Sequence, residues 1–353
     1  TAAVEIPLTI LITLFYFLGY FWIAFGCTIF LAIQSALNSP AKYGYIKEMF
    51  GKEKIATANA WIQATVIIAI LSGIMVFTLL FTHLVGDKLT EIGNNKSLMI
   101  TYLYPLGFIL IGLSITETLL TLRLVRKPAA DPQSIYNAKR YLTGHYLKEY
   151  LSGVTVNRVT FTCIIGLSIF WGLAQVLLAV YGAYLKTYIP NVTTDFMQGS
   201  MAIASIGILL GSIFAGRVSR GFIETGLIPV AAIGITLCLL LLPQTVNKTM
   251  IVSTFLAFGF FGGMLVVPLN AIIQFNAKNN ALGKTLAANN FIQNIFMLTF
   301  LSLTVFTTLL GANSLFVLYG LLIIGAAGTA YSFKQLPQAL IRFIVYFIIS
   351  KFY

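Results

Sequence analysis

Ten apolar segments, at residues 3–18, 20–38, 56–82, 98–124, 158–186, 196–216, 222–242, 249–273, 285–310 and 313–333, fill most of the 353-residue sequence. A run of about 20 apolar residues, rising about 1.5 Å per residue in a helix, spans the hydrocarbon core of a bilayer. In that solvent each backbone N–H and C=O must be satisfied within the segment, so a spanning run without period-2 alternation is a helix. The first two segments touch at Gly19 and together exceed one span, which makes the glycine the expected break. Charged residues make up 9% of the chain, against about 25% in soluble domains, and the mean hydropathy is +0.91. The chain is therefore expected to be an all-α integral membrane protein.

Loops that remain in the cytoplasm carry an excess of Lys and Arg. Of the 22 basic residues, only Lys88, Lys96, Lys186 and Lys248 fall on one side of the alternating segments; the other 18 fall on the opposite side. Topology thus accounts for the net charge of +12, and no nucleic-acid partner is needed to explain it. Cys27, Cys163 and Cys238 lie singly inside apolar runs, and His83 and His145 stand alone, so neither a disulfide framework, a metal site nor a cofactor is indicated.

A second constraint is an internal echo. The stretch from Gln34 to Gln63 carries Pro40, a basic segment and an amide-bearing helix start, and the stretch from Gly262 to Gln293 repeats this around Pro268. With Ile55 set against Thr285, Ala58 matches Ala288, Asn59 matches Asn289, Ile62 matches Ile292 and Gln63 matches Gln293. In both copies the helix is expected to end at the proline and a basic loop to follow. Helix-loop-helix repeats in a hydrophobic chain are an architecture of transporters. Three segments precede the second copy's proline-bearing helix within its half, and one precedes the first. Two helices are thereby expected ahead of Thr1 in an intact protein of twelve. A further echo sets Glu5 and Pro7 against Glu224 and Pro229.

Two six-helix halves joined by a basic cytoplasmic stretch resemble the major facilitator superfamily. The segment GSIFAGRVSR carries Gly211, Arg217 and Arg220 where that superfamily has a Gly-rich, Asp-Arg, Gly-Arg loop; Gly216 replaces its Asp and Ser219 its second Gly. Any ion pair there must recruit another acid, and Glu224 is one helical turn on. Four phrases make the resemblance narrower: NSPAKYGYI at Asn38–Ile46, KIATANAWIQATVIIAILSG at Lys54–Gly73, SIFWG at Ser168–Gly172 and GFFGGMLVVPLNAIIQ at Gly259–Gln274. These are similar to the bacterial lysophospholipid transporters. The chain's two ends look most like the fused form, in which the transporter precedes an acyltransferase and an acyl-carrier-protein synthetase.

The resemblance implies two bundles with ten of twelve membrane helices present. The expected divisions are residues 1–125 as helices three to six, 126–157 as a cytoplasmic linker, 158–333 as a six-helix bundle and 334–353 as an interfacial amphipathic tail. It also implies a task without enzyme activity in this chain: moving lysophosphatidylethanolamine and related monoacyl lipids inward across the bacterial inner membrane for reacylation. The implied partners are the lysophospholipid, membrane lipids and an attached or associated acyltransferase. The coupling cation is left open. Two other readings stay open on the residues alone, a carrier of a small soluble solute and a membrane platform for an acyltransferase.

A zwitterionic headgroup crossing hydrocarbon needs hydrogen-bonding partners of low fixed charge, and amides meet that need. The candidate substrate contacts are Gln34, Asn59, Gln63, Trp171, Gln175, Asn270, Asn289 and Gln293. Asn59 and Gln63, like Asn289 and Gln293, are four apart and share a helix face. The bland alternative is interhelical glue, worth about 0.6 kcal/mol on average. Glu117, a carboxylate inside a span, is a candidate proton or cation carrier or headgroup contact, with Arg123 and Arg126 as alternative partners. Lys42, Arg217, Arg220 and Glu224 are candidates for a cytoplasmic gate or latch.

Overall fold

The computed structural model describes residues 2–85, 96–124, 137–190, 192–278 and 281–352, and their regular structure is entirely helical. In chain order the helices are α1 (Ala2–Phe17), α2 (Phe21–Phe50), α3 (Ile55–Val85), α4 (Lys96–Leu122), α5 (Ala138–Leu142), α6 (His145–Val156) and α7 (Arg158–Tyr188). They continue with α8 (Thr194–Val218), α9 (Leu227–Leu241), α10 (Lys248–Asn276), α11 (Leu282–Leu309), α12 (Ser314–Gln335) and α13 (Pro337–Phe352). Each of the ten apolar segments has its own helix: eight are long and apolar enough to cross a membrane, and Ala3–Phe17 and Phe21–Ser35 are shorter apolar helices. The break between α1 and α2 falls at Gly19, whose φ of 78° suits a residue without Cβ.

The helices do not end at the repeat prolines. Pro40 lies within α2, which runs on to Phe50, and Pro268 lies within α10, which runs on to Asn276. Loss of apolar character marks where the bilayer stops, whereas a helix continues into water wherever its backbone bonds persist. A proline removes one such bond, which membrane helices tolerate. The connecting stretches shrink to residues 51–54 and 277–281.

Packing divides the chain into two compact units. One comprises Thr1–Tyr43 with Ile70–Ile135, the other Gly44–Ala69 with Tyr136–Tyr353. The tip of the α2–α3 hairpin therefore belongs with the later helices and not with its sequence neighbours.

Within the first unit α1 packs on α4. Thr9 Oγ1 and Ser114 Oγ are hydrogen-bonded at 3.0 Å, and a methyl at Gly107 would run into Thr13. The second unit repeats this arrangement between α9 and α12, where Thr236 Oγ1 and Thr329 Oγ1 bond at 2.9 Å and Gly325 lies against Thr236. Helices α8 and α10 approach backbone to backbone. A Cβ at Gly207 or Gly211 would collide with α10, and one at Gly259 or Gly263 with α8. Small residues four apart on both partners allow that approach, which supplies the packing that lipid cannot. Helix α7 starts at Asn157, whose side chain accepts from Thr160 N at 3.1 Å, and packs Gly172 under the Phe300 ring of α11.

The amphipathic α6 lies on the bundle. Val154 is buried, and Glu149 Oε1 accepts from Lys284 Nζ of α11 at 2.8 Å, with Arg140 3.8 Å from the same carboxylate. Helix α13 docks on the start of α9, where Phe343 is buried and closes over Gly226.

Candidate functional site

On the side that carries the basic residues, the ends of α2 and α3 close against α8 and α10 in a narrow seam. Asn59 Nδ2 donates to Gln274 Oε1 at 3.1 Å and Gln274 Nε2 returns a bond to Asn59 Oδ1 at 2.8 Å. The remaining Asn59 N–H goes to Ile55 O at 2.8 Å, so this amide is fully used. Both side chains are buried, with Asn59 3% and Gln274 0% exposed. Beside them Thr57 Oγ1 donates to Gly216 O at 3.3 Å, and Gly216 brings α8 so close to Ala60 that a Cβ would collide. Lys47, 6% exposed at the end of α2, donates from Nζ to Ala277 O at 2.5 Å. Ala277 is the C-terminal cap of α10, so the ammonium sits at the negative end of that helix.

One helical turn deeper on each side of the amide rung stand Gln63, after Asn59, and Asn270, before Gln274. Gln63 is buried and Asn270 half-buried, and among the described residues neither side-chain amide has a hydrogen-bond partner. These are the candidate contacts beside the rung whose polar atoms are available. In the second copy, Asn289 is buried and accepts from Gln293 Nε2 of its own helix at 2.8 Å. Gln34 is buried in the first unit. Trp171 is half-buried, edge-on to Phe170 at 5.2 Å between centroids, and Gln175 is exposed on α7.

Glu224 finds a partner other than the one expected. Glu224, 3% exposed, accepts from Gly226 N at 2.9 Å and from Arg342 Nη2 of α13 at 3.4 Å. Arg217 and Arg220 are exposed, and among the described residues neither forms an ion pair. Glu224 therefore fastens the α8–α9 turn and the tail, because its buried position faces α13 while both arginines point to water. Glu117 is exposed on α4, and among the described residues it forms no ion pair with Arg123, one of its two alternative partners. Lys42 lies on α2, but its side chain falls outside those described, as does Arg126.

The sequence profile of the Major Facilitator Superfamily matches residues 6–301, most of the chain. The chain belongs to the major facilitator superfamily. Among curated relatives, this superfamily member is 26% identical over 302 residues to the lysophospholipid transporter LplT of Photorhabdus laumondii, covering 82% of this chain and 69% of the relative. It is 28% identical over 299 residues to LplT of Klebsiella pneumoniae, covering 81% and 68%. Among solved structures, the fucose:proton symporter FucP of E. coli superposes with a TM-score of 0.66 at 14% identity, covering 94% of this chain and 82% of FucP. That likeness shows the fold.

In this transporter the residue that sequence reasoning missed is Lys47. It lies in one basic stretch with Lys42, Lys52 and Lys54, and nothing in that stretch distinguishes a buried lysine from a solvated one. Burial pushes the Lys47 ammonium below its usual range, and the nearby Lys52 adds to the effect. Contact with a helix C-terminus contributes up to about 2 kcal/mol. Withdrawing an ammonium from water costs several kcal/mol. Burial and the Lys52 charge thus work against the ammonium in the seam, while the helix end works for it. Gln274 was legible as an amide but not as Asn59's partner, since 215 residues separate them.

Proposed function

We propose that the chain is a secondary transporter that moves lysophospholipids such as lysophosphatidylethanolamine from the outer to the inner leaflet of a bacterial inner membrane by alternating access. The observation that carries this reading is the pair of unpartnered amides, Gln63 and Asn270, one turn inside a seam closed by Asn59 and Gln274. Neutral donors and acceptors suit a zwitterionic headgroup, while the single acyl chain stays in apolar surroundings. The lysophospholipid transporters among its relatives support the substrate class. In this account the seam is the cytoplasmic gate in its closed state, and opening it separates the Asn59–Gln274 rung. Trp171, Gln175, Asn289 and Gln293 are further substrate contacts in the second unit, and Gln34 is one in the first. Glu117, a carboxylate inside a span of the first unit, is the candidate proton or cation carrier. The lipid delivered inward is the substrate for an acyltransferase, fused or associated.

Spheroplasts supplied with labelled lysophosphatidylethanolamine test this. Replacing both Gln63 and Asn270 by Leu is expected to lower initial inward movement at least ten-fold at equal protein level, since each headgroup hydrogen bond lost is worth about 1 kcal/mol. Unchanged movement in the double variant removes these amides from the site.

A further inference from the structure

The cytoplasmic seam contains one group that works against its closure. The other described hydrogen bonds that close it are made by neutral groups: the Asn59 and Gln274 amides are mutually satisfied, and Thr57 meets a backbone carbonyl. Lys47 brings a full charge to the same layer. Its three N–H groups find one acceptor among the described residues, the Ala277 carbonyl, and no carboxylate forms an ion pair with it there. A second cation, Lys52, is near enough to act on it, and rests over the Phe275 ring of the same helix end at 5.2 Å. Lys47 is nonetheless almost wholly covered, with Ile46 beside it equally buried. A cap serving only to hold two helix ends together would gain from an acid partner or a solvated head; among the described residues this one shows no acid partner, and its side chain is almost wholly covered.

We propose that Lys47 is the release element of the cytoplasmic gate: the closed seam keeps its ammonium out of water on a single carbonyl, and rehydration of that charge drives the seam open. The closed state is thereby kept shallow. An apolar seam with the same amide rung would shut and stay shut, whereas a transporter must reopen in each cycle. The proposal rests on reading the seam as a gate and is independent of which solute passes. Its test uses no substrate, so its failure is separable from failure of the lysophospholipid assignment.

The test places a reporter at Thr57→Cys, in the seam, and follows its labelling by a membrane-impermeant maleimide in inverted membrane vesicles holding the full chain. The same chain without the reporter gives the background from Cys27, Cys163 and Cys238. Lys47→Met is expected to slow labelling about five-fold or more and to leave the melting temperature of the extracted protein at or above that of the parent. Lys47→Arg, which keeps the charge, is expected to label within about two-fold of the parent. Lys52→Gln, at an exposed position where misfolding is not at issue, relieves the like-charge neighbour and is expected to slow labelling about two-fold. Labelling of Lys47→Met at or above the parent rate, or faster labelling of Lys52→Gln, would overturn the proposal and make Lys47 a clasp.

Discussion

The two copies of the amide helix start, at Ile55–Gln63 and Thr285–Gln293, share their sequence register but not their bonds. In the first, Asn59 reaches across to Gln274 of α10; in the second, Asn289 turns to Gln293 of its own helix. The proline-bearing helices differ where it matters. With Pro40 set against Pro268, 228 residues apart, Gln274 matches Ile46, whose side chain has no polar atom to offer. Burial follows the bonds. Along α3 the residues Ile55, Ala56, Ala58, Asn59, Ala60, Gln63 and Ala64 are buried, while on α11 only Leu282, Leu286, Ala288 and Asn289 are. One repeated motif thus bonds across to a neighbouring helix in one place and within its own helix in the other.

The widest break of this contrast lies under Gln274. Gly211→Val would drive a side chain into the Phe260 backbone and separate α8 from α10. Overpacking at a backbone contact costs about 3 kcal/mol or more, so most of the folded protein should be lost on extraction, as read by size-exclusion chromatography. Next comes Asn59→Leu, which strands the Gln274 amide at full burial. An unsatisfied buried amide costs about 1–3 kcal/mol, and thermal unfolding should fall by several degrees. The matched change Asn289→Leu removes one bond within a helix, worth about 0.5 kcal/mol, and should shift unfolding by a degree or less. Equal shifts for the two asparagines would erase the distinction between the copies. The double variant Asn59→Leu/Gln274→Leu leaves no stranded amide, so it should regain most of the stability that Asn59→Leu loses.

The smallest effect is expected at the clasp on α11. The hydrogen bond from Lys284 is the main reason the Glu149 carboxyl lies below its usual range, and the Lys284, Arg140 and His145 charges contribute. A carboxylate depressed in the folded state adds stability above its ordinary pKa and loses it as pH falls through the depressed value. Both partners are about 40% solvent-exposed, so screening keeps the contribution below about 1 kcal/mol. Glu149→Gln should flatten the acid limb of a stability-versus-pH curve, below the ordinary carboxylate value of 4.5, without changing stability noticeably at neutral pH.

Hydropathy made the spans legible, and Gly19 their first break, because the bilayer sets segment length directly. It could not show that α2 and α10 run past Pro40 and Pro268, since it reports solvent and not backbone bonding. The basic side was readable from Lys and Arg counts, yet the depth of Lys47 was not, for burial depends on what covers a residue. Glu224 was read with Arg220 because they are close in sequence; its partner Arg342 stands 118 residues away. Asn59 and Gln63 were both visible as amides. Only the fold shows that one is spent in the closed seam and the other is available.

The central claim is that the Asn59–Gln274 rung closes a cytoplasmic gate that must open for transport. Cysteines at these two positions, joined in membranes by a short thiol-reactive cross-linker with a cleavable disulfide, test it most directly. The account predicts efficient cross-linking in resting membranes, loss of lysophosphatidylethanolamine movement while the link is intact, and recovery on reduction. Absence of a cross-link, or full movement with the link in place, would contradict it.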